Sequence, residues 1–328
     1  MIAWSRRRVL VTGAGGFIGS HLCERLVELG ASVCALVEYN SLGSWGWLDG
    51  AAGRDELEVV LGDVRDADSV ASACAGVDTV FHLAALIAIP FSYEAPLAYL
   101  HTNAMGTANV LRAAQRAGCR LVVHTSTSEV YGTARRVPID EDHPLQAQSP
   151  YAASKIAGDK LAESFHLSFG VPVTTLRPFN TYGPRQSARA VIPTIVTQVL
   201  AGGPIALGNL APTRDFTFVS DTVEAFVRIA DCDGAVGRVV NVGSGQEISI
   251  GALAERIGAV LERPALVETD AQRVRPPDSE VDRLCANASL ARELFGWAPA
   301  VGLDEGLRTT ARWIAENLDR YRIGIYTV

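Results

Sequence analysis

The stretch VLVTGAGGFIGSHL, residues 9–22, decides the fold. An apolar run ends at Thr12, glycines follow at three-residue intervals (Gly13, Gly16 and Gly19), and an amphipathic segment begins at once. Glycine permits the tight turn from strand to helix and lets the backbone approach a pyrophosphate, which then lies at the helix N-terminus. The stretch therefore predicts the first strand–turn–helix unit of a dinucleotide-binding domain.

Apolar runs continue to alternate with amphipathic segments over the first half of the chain. The predicted strands are RVLVTGA, SVCALVE, LEVVLGDV, DTVFHLAA, CRLVVHTST and VPVTTLRPF, and two long helices are predicted at 98–118 and 149–170. Strands that alternate with helices of this length indicate an α/β fold with a Rossmann-type, doubly wound parallel sheet. We predict an NAD-binding domain at 1–178, to which 215–246 returns, and a smaller C-terminal α/β substrate domain at 179–214 and 247–328.

Composition excludes several classes of function. The net charge of −7 provides no basic excess for binding nucleic acid. The most apolar stretch beyond the N-terminal region, VFHLAALIAIPF at residues 80–91, is interrupted by His82 and Pro90 and is too short to span a bilayer. The N-terminus lacks the apolar core of a signal peptide, and the six cysteines have no zinc-ligand spacing. We expect a reduced cytoplasmic protein without a metal site or a membrane partner.

Three strand ends carry residues suited to a dinucleotide. Glu38 ends the second strand, where a carboxylate accepts both ribose hydroxyls of adenosine and repels a 2′-phosphate, so it favours NAD over NADP. Asp63 ends the third strand, where it can meet the adenine amino group. Ala84 and Ala85 follow the fourth strand and are small enough for close packing against a cofactor. A solvated strand-end carboxylate is the alternative interpretation of Glu38.

The segment YAASK places Tyr151 and Lys155 four residues apart, on one face of a helix. An ammonium group, together with the positive nicotinamide ring, favours the phenolate and makes Tyr151 a usable base near neutral pH. The glycine turn and the hydroxyl-rich TST at the end of the fifth strand point to the same chemistry. Together these features resemble the Tyr-x-x-x-Lys arrangement of the short-chain dehydrogenase/reductase superfamily, in which Thr127 would be the hydroxyl partner.

The chain resembles in particular the extended branch of that superfamily, the NAD-dependent nucleotide-sugar epimerases and dehydratases. The landmarks occur in that branch's order: GDVRD, FHLAA, SPYAASK, RPFNTYGP, RDFTFVSD and NVGSG. The resemblance implies NAD as cofactor, an NDP-sugar substrate and a homodimer formed through a four-helix bundle. It assigns cofactor binding to Gly13, Gly16, Phe17, Ile18, Gly19, Glu38, Asp63, Val64, Leu83, Ala84, Ala85, Asn103, Thr125, Tyr151, Lys155 and Pro178. It assigns substrate binding to Ser92, Thr127, Asn180, Arg214 and Arg275, with the two arginines on the diphosphate.

The carboxylate of Glu129 distinguishes two reactions within this branch. The resemblance implies that 4-epimerases have a small or hydroxyl residue at this position, whereas 4,6-dehydratases use a glutamate to remove the C5 proton. Glucose-type dehydratases have aspartate where this chain has Ser128, and GDP-mannose-type dehydratases share the sequence Thr-Ser-Glu. Thr127, Ser128, Glu129, Tyr151 and Lys155 are therefore the predicted catalytic residues, and either Ser128 or Glu129 protonates the leaving hydroxyl.

Three further stretches, EYNSLGSWGWLDG, LIAIPFSYEAP and QSARAVIPTI, resemble a legionaminic-type subgroup of configuration-retaining NDP-N-acetylglucosamine 4,6-dehydratases. This favours UDP- or GDP-N-acetylglucosamine as the substrate. Trp45 and Trp47 would act beside the adenosine site either as a lid or as an aromatic anchor. A 4-epimerase of the same fold and a non-catalytic NAD-binding scaffold are the alternative functions.

Overall fold

A seven-stranded parallel sheet forms the centre of the structure, a computed structural model that describes residues 3–321. The strands, in chain order, are β1 (Arg8–Thr12), β2 (Ser32–Glu38), β3 (Leu57–Gly62), β4 (Thr79–His82), β5 (Leu121–Thr125), β6 (Val173–Pro178), β7 (Asn180–Tyr182), β8 (Ile205–Leu207), β9 (Thr213–Phe218), β10 (Val239–Val242), β11 (Glu247–Ser249) and β12 (Val267–Thr269). The central sheet has the order β10-β6-β5-β4-β1-β2-β3. The predicted Rossmann-type sheet is confirmed.

Helices cover both faces of this sheet. In chain order they are α1 (Phe17–Glu28), α2 (Ala67–Ala73), α3 (Ile89–Glu94), α4 (Pro96–Tyr99), α5 (Gly106–Ala117), α6 (Pro150–Phe169), α7 (Val191–Ala201), α8 (Val219–Ala230), α9 (Ile250–Val260), α10 (Ser289–Phe295) and α11 (Leu303–Glu316). Side chains alternate along each strand, so Val9 and Val11 pack beneath α1 and α8 whereas Leu10 packs beneath α2, α5 and α6. Apolar packing on both faces explains why these strands read as continuous apolar runs.

The strand order reverses between β1 and β4, which lie side by side although two strands separate them in sequence. Ligands of open α/β sheets bind at such a switch point, outside the carboxyl ends of the strands. The glycine turn after β1 and the small residues after β4 therefore meet at this edge.

The predicted helix at 98–118 is not uniform. It begins as α4, continues through a π-helical turn at Leu100–Met105 and ends as α5. Wide turns of this kind frequently occur at functional sites. This one carries Asn103, a predicted cofactor ligand.

The predicted return of residues 215–246 to the central sheet needs one correction. Helix α8 packs against α1, and β10 pairs with β6 at the sheet edge. Strand β9, however, pairs with β7 and β11 in a separate three-stranded sheet. Its apolar pattern is equally compatible with either sheet, because periodicity identifies a strand but not its partner.

Candidate active site

The glycine turn after β1 is shaped for close approach of a ligand. Gly13 has φ of +70°, and a Cβ atom there would lie 2.8 Å from the backbone nitrogen of Ala84. A Cβ atom on Gly19 would lie 2.2 Å from the Gly13 carbonyl oxygen. Gly16 is the N-cap of α1 and has no side chain to occupy the first N–H groups of the helix. The turn therefore fits the pyrophosphate of a dinucleotide.

Trp45 and Trp47, in the loop after β2, anchor that loop rather than act as a lid. The backbone N–H of Trp47 donates to the Gly15 carbonyl at 2.9 Å. Its ring packs edge-on against Trp313 with centroids 5.2 Å apart, and the Arg54 guanidinium lies 4.8 Å from the Trp45 ring centre. These contacts attach the loop to the back of the glycine turn and to the C-terminal region.

The predicted adenosine site, at the ends of β2 and β3, has one exposed carboxylate, Glu38, and one that is ion-paired, Asp63. The Glu38 side chain is 80% exposed and lies 3.9 Å from Arg65. Asp63 accepts hydrogen bonds from Arg65 Nε at 2.8 Å, and these hold the pKa of Asp63 below its usual value. Glu38 is thus open to a ribose, whereas an adenine amino group would share Asp63 with Arg65.

A buried hydrogen-bond chain connects the glycine turn to the π-helical turn. Ala84 N–H donates to Thr12 Oγ1 at 3.1 Å, and Thr12 Oγ1 lies 2.8 Å from Nδ1 of His82. Thr107 donates its only hydroxyl proton to the Asn103 carbonyl at 2.6 Å, so Nε2 of His82 donates to Thr107 at 3.0 Å. In the neutral ring, Nδ1 then accepts from Thr12. Burial lowers the pKa of His82 well below its ordinary value, so the ring stays neutral.

Asn103 continues this chain toward Tyr151. Its Oδ1 accepts from Leu86 N–H at 2.8 Å, and its Nδ2 donates to the Leu86 carbonyl and to Ser154 Oγ, both at 2.9 Å. Ser154 in turn donates to the Tyr151 carbonyl at 2.7 Å. Both N–H groups of the amide are in use, so Asn103 positions the backbone around the site, and its contact with a cofactor stays a prediction.

Tyr151 is fixed at the start of α6. Ser149 caps the helix by accepting from Ala152 N–H at 3.1 Å, and the Tyr99 ring packs edge-on against the Tyr151 ring with centroids 6.2 Å apart. Burial raises the pKa of the phenol, the Thr127 hydroxyl bonded to it lowers the pKa, and the charge of Glu129 raises it further. The expected phenolate near neutral pH is therefore not a property of the cofactor-free site.

Lys155 lies one helical turn after Tyr151 and is also buried. Its Nζ donates to the Thr125 carbonyl at 2.6 Å, which leaves two ammonium protons for other acceptors. Burial lowers the pKa of Lys155 to about 8, against the opposing charge of Asp159. Thr125 Oγ1 is buried and has no hydrogen-bond partner within residues 3–321, so it is available to a bound cofactor.

Asp159, a further turn along α6, is the centre of a buried polar cluster that sequence reasoning did not identify. It accepts hydrogen bonds from Nε2 of His124 at 3.1 Å, from Ser126 at 2.7 Å and from Arg177 at 2.8 Å. Burial alone would raise the pKa of Asp159, but the His124 bond and the Arg177 charge lower it to about 2. The spacing of Tyr151, Lys155 and Asp159 at four-residue intervals was the available signal.

Glu129 lies in a single 3₁₀ turn, Ser128–Tyr131, that follows β5. Thr127 begins this turn and accepts from the Glu129 N–H at 3.3 Å. Ser128 and Glu129 are 2% and 8% exposed, and Glu129 Oε1 lies 3.9 Å from Arg214. The Thr127 hydroxyl and the Glu129 carboxylate thus both lie near the Tyr151 phenol, whose pKa they shift.

Two predicted substrate arginines lie together on the other side of Glu129. Arg214 from β9 and Arg275 from the loop after β12 both face Glu280, at 3.6 Å and 3.5 Å. Asn180 in β7 has a buried Oδ1 without a hydrogen-bond partner in the described part of the chain. Such an unpaired buried acceptor is expected where a ligand supplies the donor.

Ser92 is one of the predicted substrate residues. It is fully buried in α3 and donates to the Ile89 carbonyl at 2.6 Å, so it stabilises its own helix.

Six further residues that are predicted to bind the cofactor lie at the edge of the sheet or on α1. Val64 is buried, and the other five are half-buried: Phe17, Ile18, Leu83, Ala85 and Pro178.

Comparison with known proteins identifies the family. Residues 10–310 match the model of the GDP-mannose 4,6-dehydratase family. The chain belongs to that family. It is 36% identical over 313 residues to UDP-glucose 4-epimerase of Mycolicibacterium smegmatis, covering 93% of this chain and 98% of the relative. It is 34% identical over 310 residues to dTDP-glucose 4,6-dehydratase of Streptomyces griseus, with 93% of each chain covered.

Solved structures of the family agree with this fold. The dTDP-glucose 4,6-dehydratase of Streptomyces venezuelae, solved with NAD bound, superposes with a TM-score of 0.88 at 31% identity. The match covers 96% of this chain and 99% of that one. The predicted branch of NAD-dependent nucleotide-sugar dehydratases and epimerases is confirmed by these relatives, which include both reactions.

The described residues provide neither a metal centre nor a membrane segment. Within residues 3–321, no group of three or more His, Cys, Asp or Glu side chains is arranged to hold a metal ion. In the same range, no helix combines the length and apolar character needed to cross a bilayer. All six cysteines are free thiols.

Proposed function

We propose that this chain is an NAD-dependent nucleotide-sugar 4,6-dehydratase, which converts an NDP-hexose into the 4-keto-6-deoxy sugar with loss of one water. The observation that carries the proposal is the buried carboxylate of Glu129, which is close enough to Tyr151 for its charge to raise the pKa of the phenol. Epimerisation at C4 needs no base beyond Tyr151, whereas elimination needs a second group that accepts the C5 proton. Burying a charge is costly unless it is used.

NAD, when bound, accepts the hydride from C4 and later returns it to C6. The residues of this chain move the protons. Tyr151, bonded to Thr127 and one helical turn before Lys155, accepts the proton of the C4 hydroxyl. The resulting ketone acidifies the neighbouring C5–H, and Glu129 accepts that proton as the C6 hydroxyl leaves. We assign the proton for the leaving hydroxyl to Glu129, because the hydroxyl of Ser128 is a weak acid at neutral pH.

The charge of Lys155 gives the proposal a pH dependence. Its pKa of about 8 means that the ammonium is present at neutral pH and is lost as the pH rises through 8. The first step should therefore slow above that pH, since the neutral amine no longer stabilises the phenolate.

The substrate we propose is UDP- or GDP-N-acetylglucosamine, because three stretches of the sequence resemble the legionaminic-type subgroup. Asn180, Arg214 and Arg275 would hold the sugar and the diphosphate, which suits guanidinium groups that bind phosphate oxygens in pairs. We further propose that the protein works in the cytoplasm as a homodimer.

A 4-epimerase is the second candidate. The Mycolicibacterium smegmatis relative bears that name, and the 3.9 Å ion pair with Arg214 would give Glu129 a structural role. The test is a panel of UDP-, GDP- and dTDP-hexoses incubated with the purified protein and analysed by mass spectrometry. A product lighter by one water supports the dehydratase, whereas a new isomer of unchanged mass, separated from the substrate by chromatography, identifies the epimerase.

A further inference from the structure

Glu280 occupies an unusual position between the two arginines of the candidate diphosphate site. A single oxygen, Oε1, lies 3.6 Å from Arg214 Nη2 and 3.5 Å from Arg275 Nη1. Hydrogen bonds between such groups are normally 2.7–2.9 Å long. The carboxylate is therefore attracted by both guanidinium groups but is hydrogen-bonded to neither.

The two arginines consequently retain unused donors. Arg275 Nη1 is buried and has no hydrogen-bond partner among the described residues. Arg214 donates one hydrogen bond within the described chain, from Nη1 to the Thr213 carbonyl at 3.0 Å. A guanidinium carries five N–H donors, so this pair is prepared for further acceptor oxygens.

The backbone around Glu280 is held firmly. Gln148 Nε2 donates to the Glu280 carbonyl at 3.0 Å, and Ser279 Oγ donates to the Gln148 carbonyl at 2.5 Å. The Tyr93 hydroxyl also bonds Ser279 at 2.7 Å. These contacts fasten the backbone of the loop to the residues that precede α6, so a ligand can move the Glu280 carboxylate away from the arginines only by turning its side chain.

We propose that Glu280 is an internal anion that competes with the substrate diphosphate for Arg214 and Arg275 and thereby limits the affinity for nucleotides. The proposal rests on the proposed binding of a nucleotide sugar. A carboxylate oxygen shared by two guanidinium groups takes the position of a phosphate oxygen, and a diphosphate that binds there either displaces it or accepts repulsion from it. In both cases the ligand binds more weakly than it would beside a neutral side chain.

The opposite role would be support, in which Glu280 holds the arginines in their binding positions. The structure favours competition for two reasons. Arg214 already has a hydrogen bond to the Thr213 carbonyl, at 3.0 Å, to orient it. Its contact with Glu280 is also too long for the directional bond that would fix a guanidinium.

The experiment measures binding to the NAD-saturated protein, so that the glycine turn is occupied. UDP, GDP, dTDP and inorganic pyrophosphate are titrated into wild type, Glu280→Gln and Glu280→Asp by calorimetry. Glu280→Gln should tighten binding of the preferred nucleotide and of pyrophosphate by about tenfold, within the range of a desolvated charge contact. The gain should shrink at high salt. Glu280→Asp keeps the charge and should remain close to wild type.

Glu247→Gln is the matched control. Glu247 is hydrogen-bonded to Arg283 at 2.9 Å and to Thr213 at 2.6 Å, on the strand next to β9. Removing its charge should leave nucleotide affinity unchanged.

Unchanged or weaker binding by Glu280→Gln would overturn the competition proposal, whichever reaction the enzyme catalyses. If wild type and Glu280→Gln bind none of the four probes, the nucleotide-sugar function fails together with it. If Glu280→Gln binds nucleotides more tightly but the protein proves to be an epimerase, the role of Glu280 is sustained and only the dehydratase proposal is refuted.

Discussion

Replacing Asp159 with asparagine removes a buried negative charge while keeping the size of the side chain. Asp159 is 4% exposed, and Arg177 bonds it through both Nε and Nη2. Its pKa is lowered from 3.8 to about 2, a difference worth about 2 kcal/mol. Because the folded-state pKa is lowered, this stabilisation is present above pH 3.8 and is lost as the pH falls toward 2.

Asp159→Asn should therefore lower the free energy of unfolding at pH 7 by about 2 kcal/mol, and by about 3–5 kcal/mol if Arg177 is left as an uncompensated buried charge. Urea denaturation at pH 7 and at about pH 2.5 measures this, and the deficit should be smaller at the lower pH, because the stabilisation is lost between pH 3.8 and 2. Glu163→Gln, which breaks an exposed pair with Lys160, is the control and should cost less than about 1 kcal/mol. Equal losses in the two variants would refute the reasoning.

The same substitution should change activity. The charge of Lys155 acts on His82 and His124 in the sheet, and the carboxylate of Asp159 opposes the loss of that charge. Without that carboxylate the pKa of Lys155 falls below about 8, so the alkaline limb of kcat/KM should move to lower pH. If the alkaline limb of the kcat/KM profile does not move in a folded Asp159→Asn protein, Asp159 has a structural role only.

Three further outcomes follow from the cofactor site and the surface. Glu38→Ala should reduce the preference for NAD over NADP by about 1–3 kcal/mol, measured by calorimetry, and equal binding of both cofactors to wild type would contradict the role of Glu38. Gly19→Ala places a Cβ atom 2.2 Å from the Gly13 carbonyl and should weaken NAD binding at least about tenfold, whereas Gly302→Ala, which meets nothing within 4 Å, should not. We expect sedimentation to show a homodimer at micromolar concentration, because Leu97 and Met105 are 67% and 58% exposed beside the predicted helical interface; a monomer would refute this.

The sequence predicts the parts of the site that depend on neighbours along the chain. The glycine turn, the Tyr151–Lys155 pair and the strand ends are local patterns, and the structure places them at one edge of the sheet. The cluster around Asp159 depends on how α6 lies over β5 and β6, which no local pattern specifies.

Other contacts of the site also depend on the folded chain. The family resemblance assigns Ser92 and Asn103 to ligands, and the structure adds that both side chains bond nearby backbone groups. The partner of β9 depends on long-range packing of the smaller sheet. The role of Glu280 arises only when the loop after β12 is folded against Arg214.

The most direct test of the central claim is Glu129→Gln with the NDP-hexose that wild type accepts. Glutamine keeps the size of the side chain but cannot accept the C5 proton. The account predicts that oxidation at C4 survives and reduced nicotinamide accumulates, seen by its near-ultraviolet absorbance, while loss of water slows by about 10²–10⁴. Tyr151→Phe should show neither signal. Dehydration by Glu129→Gln at a rate near that of wild type would contradict the account and leave Glu129 as a structural charge.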